Sequence, residues 1–147
     1  MYKHILIPTD GSETAAKAVA AGIDFAREAH AKVTLFTAVP EYLPPSEAQV
    51  FAGRIVSLAD HDQRSREKAE RVVAAAIERA RDAGIECDMD FAQCDRPYEA
   101  IVEAARRNGC DAIFMATHAR KGLAALWRRS ETAAVLRNSE VPTLVLR

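Results

Sequence analysis

Two stretches of the chain carry side chains suited to gripping a small polar ligand. Thr9-Asp-Gly-Ser-Glu-Thr14 breaks an apolar run with hydroxyls, carboxylates and a glycine. Such a composition makes a tight turn into a helix, and its hydroxyls and amides could serve as a phosphate loop. Asp10 or Ser12 could equally cap that helix, with Glu13 three residues after Asp10. The second stretch runs from His118 to Ser130, where Arg120, Lys121, Arg128 and Arg129 occur with no acid among them. It reads as either a solvated basic loop or a local anion site. Trp127, the single tryptophan, falls in the same stretch, to pack on a sheet edge or to anchor a partner.

Other reactive residue types are scattered. Cys87, Cys94 and Cys110 are odd in number and form no Cys-x-x-Cys pair, which argues against a disulfide framework or a zinc site and for structural thiols. His4, His30, His61 and His118 lack His-Glu-x-x-His spacing, so no metal is expected. Without a nucleophile-base pair, a metal cluster or paired acids, the chain is not expected to be an enzyme, and slow ATP hydrolysis has no support in the residues. A net charge of -1 with few aromatics argues against nucleic acid as a partner. No stretch is apolar enough to span a bilayer, and the run after Met1-Tyr2-Lys3-His4 is too short for a signal core. The expected location is the cytoplasm, with no membrane partner.

The elements that must position these residues alternate regularly, in a length that suits one domain over 1–147. His4 to Pro8 is a short apolar run that predicts a strand buried on both faces, and Glu13 to His30 has helical spacing at Ala15, Val19, Ile23 and Ala26. Val33 to Val39 is β-rich, and Pro40, Pro44 and Pro45 then impose a loop. A long helix is predicted from about Ala52 to Ala83, with Ile55, Leu58, Val72, Val73 and Ile77 on one stripe and Gly84 as the stop. Cys87 to Phe91 predicts a third strand, and Pro97 opens a helix from Tyr98 to Asn108 that Gly109 ends. Asp111 to Thr117 and Val141 to Leu146 predict a fourth and a fifth strand, separated by the basic loop and a short helix from Glu131 to Asn138. Strand-helix alternation implies an α/β fold, an open five-stranded parallel sheet with helices on both faces. Any ligand then sits at the carboxyl ends of the strands, in loops 8–12, 39 onward and 117–130.

From His4-Ile-Leu-Ile-Pro-Thr-Asp-Gly-Ser12, through Cys110-Asp-Ala-Ile-Phe-Met-Ala-Thr-His-Ala-Arg-Lys-Gly122, to Val141-Pro-Thr-Leu-Val-Leu146, the chain resembles the universal stress protein family. The layering implied is that of adenine nucleotide alpha hydrolase-like and flavodoxin-like folds. In ATP-binding members the loop after the fourth strand carries Gly-x-x-Gly, nine residues, then Gly-Ser or Gly-Thr at a helix N-terminus. Here those positions are Ala116, Ala119, Arg129 and Ser130, so all three glycines are missing. Glycine lets backbone approach a phosphate and adopt positive φ, where alanine typically costs on the order of 1 kcal/mol or more. Arg129 would either fill the site or grip a phosphate itself. Glu131, at the expected helix start, would compete with an anionic ligand for the same amides.

By the resemblance, Pro8, Thr9 and Asp10 would line base and ribose, Val39 the base and Met115 the opposite wall. Asp10 suits a ribose because a carboxylate can accept from two hydroxyls. The preferred reading is a regulatory stress-response protein without catalysis, with a degenerate ATP motif and weak or absent nucleotide binding. The alternative is an adenine-nucleotide switch that uses Arg129 and the basic loop to hold Mg-ATP. A flavodoxin-like electron carrier, with Thr9 to Thr14 as its phosphate loop, is more remote. The resemblance also implies a homodimer through the last strand, at Val141, Thr143, Leu144, Val145 and Leu146, and a protein partner of unknown identity. Left unpaired, that strand would be an exposed apolar edge.

Overall fold

The computed structural model describes residues 1–117 and 123–146, with 123–130 described as helical backbone only. Strands β1 (His4–Pro8), β2 (Lys32–Val39), β3 (Cys87–Gln93), β4 (Ala112–Ala116) and β5 (Thr143–Leu146) form one sheet. Between them run helices α1 (Glu13–Ala29), α2 (Glu47–Phe51), α3 (Leu58–Asp82), α4 (Pro97–Arg107) and α5 (Leu123–Asn138). Every strand pairing is parallel, and the order is β3-β2-β1-β4-β5. The chain moves outward from β1 through β2 to β3, then returns to place β4 on the other side of β1. This reversal opens a crevice at the carboxyl ends of β1 and β4, where open parallel sheets bind ligands.

Helices cover both faces because the inner strands are apolar on both. Ile5, Ile7, Val33, Leu35 and Phe114 pack under α1 and α3, which contribute Val19, Ile23, Val73 and Ala80. Leu6, Phe36, Ile113 and Met115 face α4 and α5, against Ile101, Ala104, Ala105 and Val135. α1 lies very close to the sheet at Gly22, where an added Cβ would sit 2.8 Å from Ile7 Cδ1 and 3.1 Å from Phe114 Cδ1. The amino ends of β1 and β4 are tied by Asp111, whose carboxylate accepts from the backbone N–H groups of Lys3 at 2.8 Å and His4 at 3.1 Å.

The five-stranded sheet and its two helical layers agree with the sequence expectation, and the differences lie at element starts. Residues 40–57 hold an extra helix, α2, which Ser46 and Gln49 close with a reciprocal capping box. Gly53 then turns at φ +70, and Ser57 caps α3, so that helix begins at Leu58 rather than near Ala52. Ile55 and Leu58, expected on the buried stripe, are 62% and 56% exposed because they precede or open the helix, away from its packed face. α1 is capped by Ser12, whose hydroxyl accepts from the Ala15 N–H at 3.2 Å. β5 begins at Thr143 rather than Val141, since Pro142 has no N–H to give a ladder.

The largest difference is α5. It begins at Leu123, so Trp127, Arg128, Arg129 and Ser130 belong to a helix and not to the loop expected over 117–130. No helix among the described residues is long and apolar enough to cross a membrane.

Candidate functional site

The β1 exit is a turn held by its own side chains. The Thr9 N–H donates to the Phe36 carbonyl at 2.8 Å, which fixes the turn against the end of β2. Thr9 Oγ1 accepts from the Gly11 N–H at 3.2 Å, and Asp10 Oδ1 accepts from the Ser12 N–H at 3.0 Å. Gly11 has φ +76, a left-handed conformation that side chains resist. Asp10 therefore shapes the turn, and the capping of α1 falls to Ser12. With the Gly11, Ser12 and Ala15 amides already bonded to side-chain oxygens, this turn is poorly set up as a phosphate loop.

A cavity of about 270 Å³ opens beside this turn, at the switch point of the sheet. Its floor and walls come from strand ends: Pro8, Thr9 and Asp10 after β1, Phe36 and Ala38 on β2, and Met115 and Ala116 on β4. Ala15 of α1, Pro97 and Ile101 of α4, and Glu131 and Thr132 of α5 complete the lining. The surface is predominantly apolar, with carboxylates from Asp10 and Glu131 in its lining.

Glu131 is the unusual member. Its Oε2 is buried without a hydrogen-bond partner among the described residues. A desolvated oxygen of that kind typically costs on the order of 1–3 kcal/mol. Burial pushes the Glu131 carboxyl up from its ordinary value, and the backbone N–H of Tyr98 opposes that by favouring the charged form. Thr132, the next residue, is buried.

Of the residues expected to hold a nucleotide, the structure brings Pro8, Thr9, Asp10, Met115 and Ala116 to one cavity. Val39 is 2% exposed at the end of β2 and is not part of the lining. Ala116 ends β4 in extended backbone, and His30 is the only non-glycine residue with positive φ among the described residues. The strain expected of an alanine replacing glycine is therefore absent at 116. Ala119 lies outside the described residues. Arg129 and Ser130 come about two turns into α5, where their amides belong to the helix's own ladder, since only the first turn has free N–H groups. Neither sits at a helix N-terminus, which corrects the geometry expected for a phosphate cradle.

Sequence reasoning missed Ala15, Phe36, Ala38, Pro97 and Ile101 as lining. Pro97 was legible only as a helix opener, and nothing local reveals that α4 starts over the cleft. The three cysteines are free; burial pushes the Cys87 and Cys110 thiols up to about 11 and raises Cys94 as well. Among the described residues no three His, Cys, Asp or Glu side chains gather where a metal ion could be held. β5 is an edge strand, and its Thr143, Leu144, Val145 and Leu146 are each half-buried, with Val141 just before it.

Known proteins share the sequence pattern and the fold. Residues 1–147 match the pattern of the Universal stress protein family. The universal stress protein MJ0531 of Methanocaldococcus jannaschii is 28% identical, over 100% of this chain and 83% of that protein. The stress response protein NhaX of Bacillus subtilis is 27% identical, over 97% of this chain and 96% of its own. A universal stress protein solved in complex with cAMP superposes with a TM-score of 0.73 at 24% identity, covering 99% of this chain and 97% of that one. With a family match over its whole length and a five-stranded parallel sheet of the same layering, the chain belongs to the universal stress protein family.

Proposed function

We propose that this chain is a non-catalytic stress-response protein of the cytoplasm whose cleft no longer holds a nucleoside triphosphate. The observation that carries this reading is the position of Arg129 and Ser130 two turns inside α5, with their amides committed to the helix. A phosphate needs free N–H groups and a helix N-terminus, and at these positions it finds neither. The buried Glu131 carboxylate adds like charge at the same end of the cleft. In this reading the fold serves docking. A homodimer forms through β5, with Thr143, Val145 and their neighbours at the seam, and a protein partner binds the assembly. The electron-carrier reading loses support, because the Gly11 and Ser12 amides of the β1 turn are bonded to the turn's own side chains. Chromatography of small molecules released on heating the purified protein tests the proposal. No adenine triphosphate is expected; stoichiometric ATP would overturn it and favour a cleft in which Arg129 and its basic neighbours replace the glycines.

A further inference from the structure

We propose that the amino end of β1 is an acid-sensitive latch, which opens when the buried ring of His4 gains a proton. The latch lies at the end of the sheet opposite the cleft. One residue there joins three strands. His4 is 7% exposed, and its ring Nε2 lies 2.7 Å from Oγ1 of Thr34, itself 1% exposed on β2. The His4 backbone is bound to Asp111 twice: its N–H donates to the Asp111 carboxylate at 3.1 Å, and its carbonyl accepts from the Asp111 N–H at 2.9 Å. From the β2 side, the Lys32 N–H donates to the Lys3 carbonyl at 3.0 Å. Moving the ring out to water therefore pulls on bonds to both neighbouring strands.

A proton on that ring meets little compensation, and a buried charge without it is costly. Lys32, opposite His4 in the register of β1 and β2, is half-buried and of like charge. Among the acids whose charge reaches the ring, Glu86 and Asp88 at the start of β3 are exposed, and water screens them. The Asp111 carboxylate is already shared between the Lys3 and His4 N–H groups. The Cys110 thiol, beside the Thr34 hydroxyl and pushed up to about 11 by burial, stays neutral and offers no counter-charge. On the helices that cover this face, Arg107 of α4 is paired with Asp90 at 2.7 Å, and Arg137 of α5 is exposed. Burial first, and then Lys32, hold the ring below its ordinary 6.5 against the pull of the carboxylates. The closed latch thus favours the neutral ring. Its stabilisation is present above about pH 6.5 and is lost as pH falls through the folded value.

Hydrogen exchange of the full chain at about pH 7.5 and about pH 5 tests the latch, read as protection factors at the His4, Lys32 and Asp111 amides that its bonds hold. Protection there is expected to fall by about tenfold at the lower pH, and to stay level in His4→Phe, which keeps a ring but takes no proton. Lys32→Gln, with the repelling charge gone, should show a smaller fall. No fall in the wild type, or the same fall in His4→Phe, would overturn the proposal. NMR titration of the wild-type imidazoles needs no variant. The His4 ring is expected to charge below 6.5, and charging at or above that value in the folded protein would refute the latch.

Discussion

Glu131 concentrates the chemistry of the cleft in one side chain. Its folded carboxyl is held above the ordinary value of 4.5, so the protonated form is favoured by folding. The resulting contribution to stability is fully present below that value and is lost as pH rises through the folded one. Glu131→Gln imitates the neutral acid at every pH. Its thermal midpoint should exceed that of the wild type at about pH 7.5, with the difference closing toward about pH 4 in parallel melts. An equal offset at both values would show that charge burial is not the cause. Much of this site was legible residue by residue. Pro8, Thr9, Asp10 and Met115 sit where a strand ends, and a parallel sheet puts such positions at its ligand face. The acid beside Ser130 was visible too, but not its burial, which depends on α4 arriving from thirty-odd residues earlier. Val39 shows the opposite failure: a strand end can turn its side chain into the core as readily as into the cleft.

At the scale of elements, helix starts decided what could be foreseen. Ser130 followed by Glu131 has the composition of an N-cap and first turn, and it competed with a start at Leu123 that has no such signature. The Leu123 to Trp127 run wins through residues of high helix propensity, chiefly leucine and alanine. Residues 40–57 misled for a related reason: Ser46 caps a short helix in what the prolines mark as a loop, and Ser57 starts α3 later than periodicity alone suggests. If the extended α5 and the missing glycines together close the phosphate end, then Ala116→Gly, Ala119→Gly and Arg129→Gly combined should weaken the first turns of α5 through the glycine at 129 and create measurable Mg-ATP binding. An unchanged calorimetric trace would place the obstruction at Glu131 instead. α1 offers a cleaner test of packing. Gly22→Ala gains about 1 kcal/mol of helix propensity, yet its Cβ would press on Ile7 and Phe114. Urea denaturation should show a net loss of about 1–3 kcal/mol from overpacking, and a gain would mean that α1 can lift from the sheet.

For the molecule as a whole, the alternation of apolar strands and amphipathic helices made the five-stranded parallel sheet and its two helical layers readable, while the order β3-β2-β1-β4-β5 came only from the structure. What composition could not convey is the use of the free edge. The Ile113 N–H donates to the Pro142 carbonyl and the Thr117 N–H to that of Leu146, so the even-numbered residues of this segment bond to β4. The N–H and C=O of Thr143 and Val145 therefore face outward, available to a second copy. The proposed dimer predicts a scattering mass of about twice 16.1 kDa. Val145→Pro removes one outward donor without touching a β4 bond and should shift that mass toward the monomer; an unaltered dimer would move the interface elsewhere. The loss of the triphosphate site remains the claim on which the functional account turns. Calorimetric titration of the purified protein with Mg-ATP tests it most directly. The account predicts no saturable heat up to millimolar nucleotide, whereas a saturable isotherm with micromolar affinity would contradict it.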